Sequence, residues 1–226
     1  MSTPLLRVHH LGLATKTGPV FADVSLTLEP GSLTVVVGPS GAGRSALLLA
    51  LTGRMRGVTG SVELRGDPRT RPRDLRAVTA VARLAGLVEP EGQLSVGESV
   101  TERALVDGVQ VADAEAAVTA AEELLGVRFA RRLLVDQLDA FHRTLLSVVL
   151  ATVRPADLVV LDDAVRLLDL ADQRRLFDAL VRLAAAGRGL LVSTTEVAAL
   201  PASAHVVHLP RPAADPAPAQ TPKKTA

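Results

Sequence analysis

The chain has 226 residues, 48% of them hydrophobic, which is enough for one large domain or for a core with a smaller subdomain. Cysteine is absent, so disulfides and thiolate metal sites are excluded and a reducing cytoplasm is the compartment expected. A formal net charge of +1, with both signs interspersed, gives no pull toward nucleic acid or anionic lipid, and no run reaches the roughly 18 apolar residues of a membrane span.

With four Phe and neither Tyr nor Trp, the core must be aliphatic. The opening MSTPLLRVHHLGLATK lacks the basic segment and apolar run of a secretory signal. Strand-like runs follow from Leu5 to Leu13 and from Val20 to Leu28, then a turn at Glu29–Gly31. Leu33–Val37 (LTVVV) is a continuous β-branched run that suits a buried central strand. A helical pattern covers Arg44 to about Thr52, and Gly60–Gly66 returns to alternation. The Arg- and Pro-rich Gly66–Arg76 holds two aspartates and no aromatic, which fits a solvated loop and helix start rather than a nucleic-acid surface. Helical spacing recurs over Ala112–Leu125 and Phe141–Ala151. Asp157–Asp163 (DLVVLDD) reads as a buried strand ending on two carboxylates, and Ala171–Gly187 as an amphipathic helix closed by Gly187. Strands at Gly189–Ser193 and His205–Leu209 complete the pattern, and the Pro- and Ala-rich 210–226 reads as a disordered tail. Strands alternating with helices predict an α/β fold with a mostly parallel central sheet.

Between the strand Leu33–Val37 and the helix after it lies Gly38-Pro39-Ser40-Gly41-Ala42-Gly43-Arg44-Ser45. This fits a phosphate-binding P-loop: glycines let successive N–H groups converge on a phosphate, the helix N-terminus adds its dipole, and the Ser45 hydroxyl suits Mg²⁺. Gly41-Ala42-Gly43-Arg44-Ser45-Ala46 also satisfies the dinucleotide fingerprint G-x-G-x-x-A, with Glu63 at a suitable distance for a ribose contact. Against that reading, three residues separate the strand end from the first glycine of the fingerprint. A P-loop hydrolase also needs a carboxylate at a neighbouring strand end, and LVVLDD supplies Asp162 for the metal and Asp163 to polarise an attacking water.

From Leu5 to Leu209 the chain resembles an ATP-binding cassette (ABC) subunit, the nucleotide-binding component of membrane transporters. The resemblance rests on the order of FADVSLTLEPGSLTVVVGPSGAGRSALLLALTG, TGSVELRG, LSVGESV, LDAFHRTLLSVVLATVRPADLVVLDD, VRLLD and STTE. It implies a P-loop NTPase of cassette type spanning 1–209, with an antiparallel β layer and a helical subdomain at about 95–153. It also implies ATP and Mg²⁺ as ligands, a transmembrane permease subunit as partner, and a homo- or heterodimer with another cassette subunit.

The departures from the family pattern fall at its chemical positions. Arg44 stands for the loop lysine, and a planar guanidinium is not a substitute for a compact ammonium. Asp163 stands for the usual glutamate. The signature pentapeptide is Leu138-Asp139-Ala140-Phe141-His142, where an acidic Asp139 and a bulky Phe141 are expected to repel and obstruct a phosphate held by a second subunit. The glutamine position falls near Ala85 or Gly86, the switch histidine is Thr195, and no aromatic lies near Thr15 to stack on adenine. The expectation is an ATPase-shaped chain with weak or absent hydrolysis; the alternative is a cassette-fold regulatory or scaffolding partner that binds no nucleotide.

Overall fold

The computed structural model describes residues 3–84 and 86–212. Two sheets carry the fold. The larger has five parallel strands in the order β5-β6-β7-β3-β8: β3 (Leu33–Val37), β5 (Thr79–Arg83), β6 (Leu158–Leu161), β7 (Gly189–Thr194) and β8 (His205–His208). The smaller is antiparallel, order β2-β1-β4, from β1 (Leu6–Thr15), β2 (Gly18–Leu28) and β4 (Val58–Leu64).

Every residue of β3, β5, β6 and β7 is buried, as expected of parallel strands covered on both faces. Alternation sorts their side chains between two cores. Val35, Val37, Val159 and Leu161 face one cluster, which they share with helices α3 (Val96–Asp107), α4 (Val111–Leu125), α5 (Ala140–Ala151) and α6 (Leu170–Ala185). Val36, Leu158 and Val160 face the other, with α1 (Arg44–Leu51) and the antiparallel sheet.

Local chemistry sets the element ends. Ser95 and Glu98 form a reciprocal capping box that starts α3. Asp169 accepts the Asp172 amide at 2.8 Å and starts α6. The α6 face carrying Leu176, Phe177, Leu180 and Leu183 is buried, each such side chain contributing roughly 1.5–3 kcal/mol. The chain past α6 turns through Gly187, at φ 103, whose amide returns to the Ala184 carbonyl at 2.8 Å. Helix α2 (Pro72–Val78) begins with Pro at its first position, within the Arg/Pro segment expected to be a loop and helix start. Strand β5 was not expected from the sequence: TAVAR is short, and it closes on an arginine. The tail beyond residue 212 and Ala85, one of two positions considered for the family's glutamine, lie outside the described residues.

Candidate nucleotide site

The P-loop leaves the C-terminal end of β3 and turns into α1 at Arg44. Two glycines fix its path. Gly43 sits at φ 87, and a Cβ there would collide with the Val20 carbonyl oxygen; a Cβ on Gly38 would collide with the carbonyl oxygen of Leu209. The loop is thereby wedged between β2 and the chain leaving β8, and only glycine fits at either point. Arg211, which no sequence pattern singles out, donates to the Ser40 carbonyl at 2.9 Å.

Asp162 follows β6, one strand away from β3. Strand β7 runs between them, and Ser193, on β7 opposite Val36, fills the gap. The Asp162 carboxylate is buried, 1% exposed, yet both oxygens are occupied: Ser45 Oγ donates to Oδ2 at 2.6 Å and Ser193 Oγ donates to Oδ1 at 2.5 Å. The same Ser193 hydroxyl accepts the Asp163 amide at 2.8 Å. Two hard oxygen donors, Ser45 and Asp162, therefore stand together at the foot of the loop, a donor set that suits Mg²⁺ completed by phosphate oxygens and water. Among the described residues there is no cluster of three His, Cys, Asp or Glu side chains able to hold a metal alone.

The Arg44 side chain, 12% exposed, folds back over its own loop. Nη1 donates to the carbonyls of Gly38 and, at 2.8 Å, Pro39. Nη2 lies 3.9 Å from Asp163 Oδ1, so the guanidinium faces Asp163 rather than Asp162. Among the described residues Nε is buried without a partner, an orphaned donor inside a loop built of backbone amides. Asp163 itself has φ 48, a left-handed conformation uncommon for a residue with a side chain.

The signature segment departs from expectation in one respect. Phe141 does not project from the start of α5 to obstruct a phosphate: it is 5% exposed, buried in the core, with the Arg175 guanidinium over its ring at 4.2 Å. Asp139 does stand at the helix end, where it accepts the His142 amide at 2.8 Å and holds His142 Nδ1 at 2.8–2.9 Å. The hydrogen bond from the His142 amide holds its carboxyl below the usual carboxylate range, against a smaller opposing effect of burial. Thr195, in the position expected for the switch histidine, is exposed, whereas Ser193, two residues earlier, is central to the site. Phe21 is core on β2.

Arg83, the last residue of β5, is the second buried group that sequence reasoning missed. Its guanidinium lies behind the two aspartates, 9% exposed, beside a cavity of about 440 Å³ that Glu89, Arg143 and Arg166 also line. Burial pulls it below the usual guanidinium range, with the Asp163 and Glu89 charges opposing. The available signal was an arginine closing an otherwise apolar run.

A five-stranded parallel sheet with a glycine loop after one strand and an acid after the next but one defines a P-loop nucleotide-binding fold. The ABC transporter family model matches residues 21–166. The chain is 32% identical over 201 residues to the cobalt import ATP-binding protein CbiO of Rhodobacter capsulatus, covering 86% of this chain and 71% of that protein. It belongs to the ABC transporter family. A 104-residue stretch is 36% identical to the hemin import ATP-binding protein HmuV of Burkholderia cenocepacia, covering 42% of this chain and only 38% of that relative's length. The structure superposes on cbiO1 of Clostridium perfringens, part of the ABC transporter complex cbiONQ, with a TM-score of 0.71 over 86% of this chain and 80% of that one; at 18% identity this speaks for the fold alone.

Proposed function

We propose that this chain is the ATP-binding subunit of an ABC import complex, working at the cytoplasmic face of the membrane with a permease subunit and a second cassette subunit. The observation that carries the reading is the 2.6 Å hydrogen bond from Ser45 to Asp162, which unites the loop and the acidic strand end across β7. Import is supported by the relatives named as cobalt and hemin import proteins. No helix among the described residues is long and apolar enough to cross a membrane.

In this reading the 38–45 loop cradles the phosphates through its backbone amides, Pro39 having none, while Ser45 and Asp162 would hold Mg²⁺, which would supply positive charge to offset that of the phosphates. Arg44 gives up its two carbonyl contacts and turns its charge to the phosphates. Asp163 orients the attacking water, from a side chain one methylene shorter than glutamate. Hydrolysis is weak, because Asp163 must reach farther, Thr195 carries no charge, and Asp139 presents a negative group where a second subunit's phosphate would sit.

A second reading, a cassette-fold partner without nucleotide, is favoured by Arg44, whose guanidinium occupies the loop's own carbonyls. Calorimetric titration with ATP, with and without Mg²⁺ and with NAD as control, separates the two. Mg²⁺-assisted micromolar binding is expected; an absence of ATP binding overturns the first reading and leaves the second. NAD binding without Mg²⁺ dependence would instead point to a dinucleotide site.

A further inference from the structure

Arg83 joins two separate parts of the chain. Its backbone carbonyl accepts the Asp162 amide at 3.0 Å, extending the β5–β6 pairing by one residue. Its side chain then returns to the same turn: Nε and Nη2 both donate to the Asp162 carbonyl at 3.3 Å, and Nη2 donates to the Asp163 carbonyl at 2.6 Å. On its other side Nη1 donates to Thr144 Oγ1 at 2.9 Å, on α5 one turn in from the signature segment. Thr144 spends its own proton on the Ala140 carbonyl at 2.9 Å, so its hydroxyl can only accept from Arg83, and the polarity of the chain of bonds is fixed.

Leaving β6, the chain must turn at once into the left-handed Asp163, and the carbonyls of Asp162 and Asp163 point away from the sheet ladder. Ser193 takes the Asp163 amide, and the Arg166 amide reaches the Asp163 carbonyl at 3.1 Å. Among the described residues the Asp162 carbonyl has Arg83 alone as its donor. A planar fork with donors on two edges is the side chain that can serve this turn and a helix together; an ammonium cannot span both with the same geometry.

We infer that Arg83 is a positioning residue that couples α5 to the Asp162–Asp163 turn, so that the orientation of Asp163 follows the placement of the signature helix. A shift of α5 is passed through Thr144 and the guanidinium to the carbonyls on either side of the Asp163 Cα. The consequence for turnover rests on the nucleotide reading above; the coupling itself does not.

The test is hydrogen–deuterium exchange of the full chain without nucleotide, comparing wild type, Thr144→Val and Thr144→Ser. Valine removes the acceptor while keeping the shape. Exchange over residues 160–165 is expected to rise by about tenfold in Thr144→Val, to stay unchanged over β3, and to return to the wild-type rate in Thr144→Ser. An unchanged rate over 160–165, or a rise spread evenly over all strands, overturns the inference. Should Thr144→Val lose its cooperative melt, Arg83→Lys is read the same way: the charge stays, the fork goes, and the same local rise is expected, with an unchanged rate overturning the inference. Because no nucleotide is present, a failure here is distinct from a failure to bind ATP in the calorimeter.

Discussion

The guanidinium of Arg44 stands 3.9 Å from the carboxylate of Asp163 and is anchored by the carbonyls of Gly38 and Pro39. Two of the positions that the sequence marks as unlike the expected motifs are thus in ionic contact with each other. The pair is coherent: an arginine drawn back over the loop meets an acid at the end of the neighbouring strand. Charged hydrogen bonds of this type contribute about 1.5–3 kcal/mol each, so moving Arg44 onto a phosphate requires a ligand that offers more.

Arg44→Lys is therefore expected to tighten Mg-ATP binding by roughly tenfold, about 1.4 kcal/mol, because an ammonium holds fewer carbonyls and gives them up more readily. Calorimetry on the two proteins measures it. Combined with Asp163→Glu, the same change is expected to raise turnover; if it leaves turnover flat while affinity improves, the signature and switch positions limit the chemistry.

Each oxygen of Asp162 already accepts from a serine hydroxyl and keeps a lone pair for a further partner. In Asp162→Asn one serine faces an amide N–H₂ in place of an acceptor. The expected loss is about 1–3 kcal/mol of stability, together with the loss of any Mg²⁺ dependence of ATP binding. Chemical denaturation and paired titrations with and without Mg²⁺ separate these two effects. Ser193→Ala tests the same centre from the other side, since it strips an acceptor from the Asp163 amide and a donor from Asp162.

A pH dependence follows from Asp139. Its folded pKa lies below the ordinary carboxylate value, so its contribution is fully present above the unfolded pKa of about 4 and is lost as pH falls through the folded value. Asp139→Asn keeps the cap oxygen without the charge. The melting-temperature gap between wild type and Asp139→Asn is expected to be largest above pH 5 and to close as pH drops below about 4. A gap that widens in acid would contradict this sign.

Away from the site, Glu122 is buried on α4, with Arg131 Nη1 at 2.5 Å and Arg128 Nη1 at 3.6 Å. It also accepts the Phe129 amide at 3.3 Å, stitching the turn after α4 to the helix. Glu122→Gln removes one charge and leaves Arg131 half-paired, with an expected cost of about 3 kcal/mol in urea denaturation and a smaller one for Arg128→Ala, whose side chain is largely exposed.

The loop, its flanking strand and helix, and the acidic pair were readable because each is a local pattern: glycine spacing, a β-branched run, a strand that stops on carboxylates. Asp162 and Ser45 could be paired in advance because the chemistry of the loop requires an acid on a nearby strand. Ser193 and Arg83 could not be found this way. Each acts through a contact that exists only once β5, β6 and β7 are side by side, and neither lies in a sequence run that demands it. Phe141 misled for the complementary reason: its size was legible, but the direction it faces depends on the phase of α5, which turns it inward beneath Arg175. Arg44 was visibly out of pattern, but its seat on the carbonyls of its own loop, facing Asp163, depends on how the loop closes and was not legible.

The contact between Gly38 and the Leu209 carbonyl has a temporal side. Leu209 donates its amide to Val37 at 2.7 Å, and Arg211 binds Ser40 across a separation of 171 residues. One wall of the P-loop therefore leaves the ribosome long after the loop itself, since domains are made from the N-terminus at about 5–20 residues per second. A nascent chain that has not yet reached β8 has a loop open on one flank and no strand beyond β3. The loop is walled on both flanks only once the last strand of the sheet has been made, so an interrupted synthesis yields a chain whose loop is held from one side alone.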